Sequence, residues 1–374
     1  MKTYLNTKIH HLLYTGITAT LLVGCGGGVS SYNENTYTSI DGELIELGTE
    51  NPVCQQGSAT QKGRVVDLNN QRGIAGAEVE IAGCVTQTDE NGYYQFTNIP
   101  VAKRVAVNIE KENYLDNSEI ITIDEDTKNY LEVSLDSKTI KWSYESNKGS
   151  SERNLDISSD VRYQKEDGTN YIGKIELQYQ VKNTTTDKEK ESFPGTFEGL
   201  NSNGVIVPFV NYKYMVLKLR DDEGNNIDIQ DPITVNIYNL TDTDASEIPL
   251  WYYHENKGIW IEQGTAHRDD NDVYKCEITH TGVWSINKPV EKPRGKYKSQ
   301  ILDENLNPMP NVRVKATGKN WQSKDLTTDE NGEFELYVVP DEEFTLSAYN
   351  YEEEFGAEYT DTLKGVPSDS LIED

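Results

Sequence analysis

The sequence predicts an all-β protein on three observations. Apolar and polar residues alternate over short stretches, turns rich in Gly, Asn and Asp separate those stretches, and one such block occurs twice. With 374 residues, of which 35% are hydrophobic and 26% charged, the chain has material for several small cores, roughly two to four domains. The formal net charge of -28 disfavours nucleic acid and anionic lipid headgroups as partners.

The amino-terminal segment begins with Lys2 and Lys8 and continues as an apolar run from Leu12 to Val23, too short to span a membrane. It ends in Leu22-Val23-Gly24-Cys25, which resembles the lipobox of bacterial lipoprotein signals. The resemblance implies acylation of the Cys25 sulfur, cleavage between Gly24 and Cys25, and attachment to the membrane through several acyl chains. The expected location is the cell envelope, on the outer membrane if the host has two, because Gly26 stands where inner-membrane proteins often carry Asp. Residues 1–24 are thus read as signal and 25–60 as anchor and tether, the run Gly26 to Asn35 being small, polar and aperiodic.

The four cysteines leave Cys54, Cys84 and Cys276 after lipidation. No Cys-x-x-Cys pair or neighbouring histidine suggests zinc or thioredoxin-type chemistry. In an oxidising compartment Cys54 and Cys84 are the candidate disulfide, the alternative being unpaired buried thiols. Cys276 lies in the alternating stretch Val273 to Ile278 and reads as a core thiol.

The first repeated block runs through Gly63-Arg64-Val65-Val66-Asp67, Gly76 to Ile81 and Thr88-Asp89-Glu90-Asn91-Gly92 into Tyr93 to Phe96. The second runs through Ser299 to Asp303, Pro310 to Ala316 and Thr328-Asp329-Glu330-Asn331-Gly332 into Glu333 to Leu336. In each, Asn-Gly in an acidic turn permits positive φ and chain reversal, and a proline at 100 or 340 stops the last strand. Both blocks resemble the carboxypeptidase regulatory-like domain, over roughly Lys62 to Leu135 and Gly295 to Leu363. The resemblance implies tandem Greek-key β-sandwiches, at 61–140 and 290–374, of a kind also grouped with carbohydrate-binding-like folds and without catalytic residues of their own. Asn311 stands near the place of Gly76, so the second copy is expected to differ there.

Residues 141–289 form a middle β-rich, sandwich-like domain, with strands at Ile175 to Val181, Tyr214 to Leu219 and Ile233 to Tyr238. Ile248 to Tyr253 and Ile259 to Glu262 read as a hairpin turning at Glu255-Asn256-Lys257-Gly258. This region resembles a segment found beside such sandwiches in bacterial surface proteins. Its alternation puts Trp251, Trp260 and Trp284 in the core and leaves Tyr252 exposed, the candidate platform for stacking on a sugar ring.

No catalytic residues emerge: there is no nucleophile elbow, phosphate loop or cysteine with a histidine companion. The zinc pattern of the metallocarboxypeptidases is absent around His254, His267 and His280. Acidic runs at Asp221 to Asn226, Asp269 to Asp272 and Asp124 to Asp126 offer oxygens to calcium, but they lack EF-hand spacing and serve equally as hairpin turns. No metal or cofactor is expected. The functional expectation is a membrane-anchored, noncatalytic binding or adhesion protein whose partner is a glycan or an envelope protein. The alternatives are a structural spacer or assembly factor and, last, an enzyme of unrecognised type.

Overall fold

The computed structural model describes residues 35–47, 57–123, 129–137, 140–152, 154–240, 243–303, 305–349 and 358–373. The lipobox, most of the tether, Cys54 and Asp124 to Asp126 lie outside the described residues.

The architecture is nearly all β, as expected, with one four-residue helix, Asp187–Lys190, among the described residues. The repeated blocks give the same arrangement twice. In the first, Tyr93–Ile99, Ala59–Asp67 and Asn129–Leu135 form one sheet, the last pair parallel, facing a sheet ordered Cys84–Gln87, Glu78–Ile81, Ala102–Glu110, Asn117–Ile123. In the second, Glu333–Val338, Gly295–Gln300 and Leu371–Glu373 repeat the mixed sheet. Leu326–Thr327, Arg313–Thr317, Phe344–Tyr349 and Glu358–Leu363 repeat the other.

The shared turn explains the shared fold. Oδ1 of Asp89 accepts from the amides of Asn91 (2.8 Å) and Tyr93 (2.9 Å); Oδ1 of Asp329 accepts from Asn331 (2.9 Å) and Glu333 (2.8 Å). Each preceding threonine is buried and ties two strands. Thr88 Oγ1 accepts from the Ala77 amide and donates to the Ile74 carbonyl, and Thr328 Oγ1 does the same with Val312 and Met309. The expected difference at Asn311 does not arise: Asn311 takes φ 61°, Gly76 φ 64°, and both donate to the threonine carbonyl. Asparagine tolerates the left-handed region better than other side chains, so it substitutes for glycine there.

Between the sandwiches, a large sheet is organised by one 16-residue strand, Val205–Arg220. Lys174–Lys182 pairs along its C-terminal half on one side, and Gly282–Pro289 runs along the other. The expected hairpin is present as Glu247–His254 and Ile259–Arg268. Its tip, a 3-10 turn over Glu255–Lys257, closes on Gly258 at φ 60°. A bulge between Asn211 and Lys213 lets the buried Asn211 bond Ser285 (2.6 Å) and Asn287 (2.7 Å), while its amide donates to Asn320 of the C-terminal unit.

Residues 35–47, expected to belong to the tether, are folded instead. Thr36–Ser39 and Leu44–Glu46 form a hairpin whose first strand pairs in parallel with Val205–Arg220, Thr38 opposite Val205. The two-residue spacing of Ile45 and Leu47 was the only local signal, and Leu47 is fully buried beside Ile206 and Ile259.

The cores are not separate. One apolar cluster runs from Phe193, Phe209, Trp251 and Trp260 of the middle unit to Tyr297, Phe334 and Phe344 of the C-terminal unit. The first sandwich keeps its own cluster around Val79, Val107 and Val133, lends Leu115 to the shared one, and also joins the middle unit through polar contacts. Ser118 Oγ meets Tyr253 Oη at 2.7 Å, and the Asn117 side chain donates to the Glu191 carbonyl. The buried ion pair Lys182–Asp136 and the half-buried pair Lys218–Asp116 complete that interface.

Candidate functional site

The N-terminal hairpin, the first sandwich, the middle unit and the C-terminal unit meet around a cleft of about 1100 Å³. Its floor is ionic. Arg104 is carried there by an irregularity in Ala102–Glu110, whose pairing with Asn117–Ile123 shifts register between Ala102 and Val105. Two successive cations, Lys103 and Arg104, break the period-two alternation at that point, and the bulge re-aims Arg104 inward. Its Nη2 donates to the Gly258 carbonyl (2.8 Å), which the left-handed turn presents, and lies 3.7 Å from Glu198.

Glu198, at the start of Glu198–Leu200, also receives Arg294 at 3.4 Å and the Thr196 hydroxyl at 3.2 Å. Burial alone would raise its pKa, but Arg104 and Arg294 outweigh that and hold it below the usual carboxylate value. Arg294 is itself claimed by Asp41 and lies over the Tyr337 ring, 4.3 Å from its centroid. Lys324 stands among these groups without a carboxylate of its own. Burial and the Arg104 charge pull its pKa down to about 8, against the pull of Glu198.

Arg104 is anomalous. Its side chain is only 8% exposed, yet Nε and Nη1, carrying three of the five guanidinium N–H groups, have no hydrogen-bond partner among the described residues. Leaving such donors unpaired is costly, so a water, an ion or a ligand group is expected to complete them. Chemically the floor offers fixed donors and positive charge, with no nucleophile and general base in contact.

A second, smaller cleft of about 360 Å³ also lies between units. Glu119, Glu132 and Glu191 face Arg313 and Lys315 there. Burial raises the pKa of Glu119 to about 7 despite those cations.

The residues singled out from sequence do not assemble at the main cleft. Gly24, Cys25 and Cys54 lie outside the described residues. Cys84 is buried and disulfide-bonded, whereas Cys276 is a buried free thiol. Trp251, Trp260 and Trp284 are fully buried, each indole N–H donating to a carbonyl. Tyr252 is not the exposed platform expected. It is half-buried against Trp284, with ring centroids 5.3 Å apart, and His280 meets its ring at 3.9 Å. Strand alternation turned it away from Trp251 as foreseen, but that second face packs on a core of its own. In the acidic turns, the carboxylate of Asp221 accepts from the amides of Glu223 and Asn225 and pairs with Lys165; Asp269 is engaged likewise with Asn271, Val273 and Lys275. No group of three or more potential metal ligands occurs among the described residues.

Sequence motifs gave no sign of the floor because its residues come from positions 104, 198, 294 and 324 on different units. The one local signal was the Lys103-Arg104 pair inside an apolar strand of an acidic chain.

Residues 60–136 match the carboxypeptidase regulatory-like domain. No curated protein matches the chain. Among solved structures, the Bacillus anthracis TIE protein is 10% identical with a TM-score of 0.20; the overlay covers 84% of this chain and 50% of that one. The chain therefore spans half the length of that protein. The major pilin subunit BcpA of Bacillus cereus is 12% identical with a TM-score of 0.18, covering 84% and 98% respectively. A streptococcal ancillary pilin is 8% identical with a TM-score of 0.15, again covering 84% and 98%. Overlays this loose carry no information about activity.

Proposed function

We propose that this chain is a lipid-anchored, noncatalytic binding protein of the cell envelope that holds its ligand in the cleft between its units. The observation that supports this reading is the buried Arg104 with unpartnered donors at the floor of a large concavity built by four parts of the chain. The anchor is Cys25, Cys54 pairs with Cys84, and the C-terminal unit is a second carboxypeptidase regulatory-like domain. The last assignment is supported by its identical strand order and turn bonding. The domain limits are 61–140, 141–289 and 290–374, with the hairpin at 36–46 belonging to the middle unit.

The test is in-cell crosslinking of the full lipidated protein, followed by affinity capture and analysis of both protein and sugar. Capture that depends on Arg104 and Lys324 supports the cleft; capture unchanged in Arg104→Met/Lys324→Met rejects it. Cys25→Ser is expected to abolish fatty-acid labelling and release the protein from membranes. The interlocked units favour a second reading, a spacer or assembly factor, in which a partner would be captured through surfaces away from the cleft.

A further inference from the structure

We propose that the cleft receives an extended peptide of a partner protein by strand addition, with a free carboxylate of that peptide seated between Arg104 and Lys324. This rests on the cleft being a binding site and names the class of its ligand.

Three features select this occupant. First, the floor lacks one anion. Arg294 is satisfied by Asp41, Glu198 and the Tyr337 ring, whereas Arg104 keeps unpartnered N–H groups and the Lys324 ammonium feels the repulsion of Arg104. A single carboxylate would accept from both side chains and offset that repulsion, in charge-assisted bonds stronger than neutral ones.

Second, a strand edge opens on the cleft. Among the described residues, Glu333–Val338 pairs only with Gly295–Gln300. Leu44 to Glu46 and Glu335 to Tyr337 line the cavity. An unpaired strand edge offers alternating N–H and C=O groups whose repeat an extended peptide backbone matches in spacing and order.

Third, the walls disfavour a polyanion. Glu43, Glu46, Glu80, Glu255 and Glu335 line the same cavity, and Leu44 and Val101, at 71% and 51% exposure, stand free at it. A chain carrying one carboxylate at its tip, followed by apolar and basic side chains, meets each of these surfaces with its complement. An acidic glycan meets five wall carboxylates against one wall cation, Lys103, and finds its complement mainly at the floor.

The test uses the purified full chain and a synthetic library of eight-residue peptides with free C-termini, alongside the same library amidated. Enrichment from the free-acid library, at least tenfold weaker binding of the amidated twin, and a similar loss on alternate backbone N-methylation are expected. Arg104→Met and Lys324→Met should each weaken binding at least tenfold, with Arg104→Lys restoring part of it. Lys324→Met serves if Arg104→Met fails to fold, as judged by thermal melting. Equal enrichment from both libraries, no enrichment, or selective binding of an oligouronate probe overturns the proposal. If in-cell capture depends on Arg104 and Lys324 while the peptides fail, the ligand class is wrong and the cleft stands. If capture ignores both residues, the cleft itself is wrong.

Discussion

Asp41 and Arg294, 253 positions apart, are joined by two hydrogen bonds of 2.6 Å, one from the Arg294 amide and one from its Nε. The pair fastens the N-terminal hairpin to the start of the C-terminal unit. In Arg294→Met, Asp41, 6% exposed at its side chain, would keep the bond from the residue-294 amide but lose its counter-charge. The expected cost is about 3 kcal/mol, read from urea denaturation. Amide exchange across 36–46 should accelerate; protection unchanged there would mean the hairpin is held by its backbone pairing alone.

The two acidic turns make a matched pair for testing that the units are built alike. A Cβ on Gly92 would lie 2.4 Å from the Val65 carbonyl oxygen, and one on Gly332 2.6 Å from that of Ile301, both at positive φ. Gly224 has a similar φ but open space. Gly224→Ala should cost about 1 kcal/mol, the backbone term alone. Gly92→Ala and Gly332→Ala should each cost about 3 kcal/mol or more, since backbone atoms must also move. Equal midpoints for all three variants would contradict the geometry.

Glu119 predicts a pH dependence. In the unfolded chain its carboxyl loses a proton near its ordinary value of 4.5, but in the folded protein, where burial disfavours the charge, only at about 7. Between those values the folded state holds the extra proton, so this group's contribution to stability falls as pH rises through the window. Arg313 and Lys315 oppose the effect and Glu191 adds to it. Glu119→Gln should therefore match the parent near pH 4.5 and exceed it in stability at pH 8. A parent-to-variant difference independent of pH would assign the effect to packing.

Burial, with a smaller contribution from Glu277, pushes the Cys276 thiol up to about 12. Almost no thiolate is present at pH 8, and the sulfur is also enclosed. Alkylation of Cys276 in the native protein, followed by mass spectrometry of its peptide, should be about a hundredfold slower than in denaturant. Rapid native labelling would show that the strand Tyr274–Ile278 opens.

The all-β class and the hairpin around Gly258 were legible because strand alternation and turn chemistry are local. So was the burial of Trp251, Trp260 and Trp284. Exposure of Tyr252 was misjudged because alternation assigns a face and not what covers it; His280 and Trp284 close over that ring. The hairpin at 36–46 was overlooked since strands of three and four residues leave little periodicity. Arg104, Glu198, Arg294 and Lys324 become neighbours only through the packing of separate units, which no spacing within the sequence encodes.

The parallel pairing of Thr38 and Ser39 with Val205 and Ile206 also fixes how the molecule answers a pull. Tension applied at residue 35 does not pass first through the neighbouring sandwich at 61–140. It enters the 16-residue strand of the central sheet in shear through the two residue pairs of that ladder, and the Asp41–Arg294 pair carries part of it to the C-terminal unit. A chain tethered at its amino end would thus be stretched across its middle, with the first sandwich hanging outside the mechanical path.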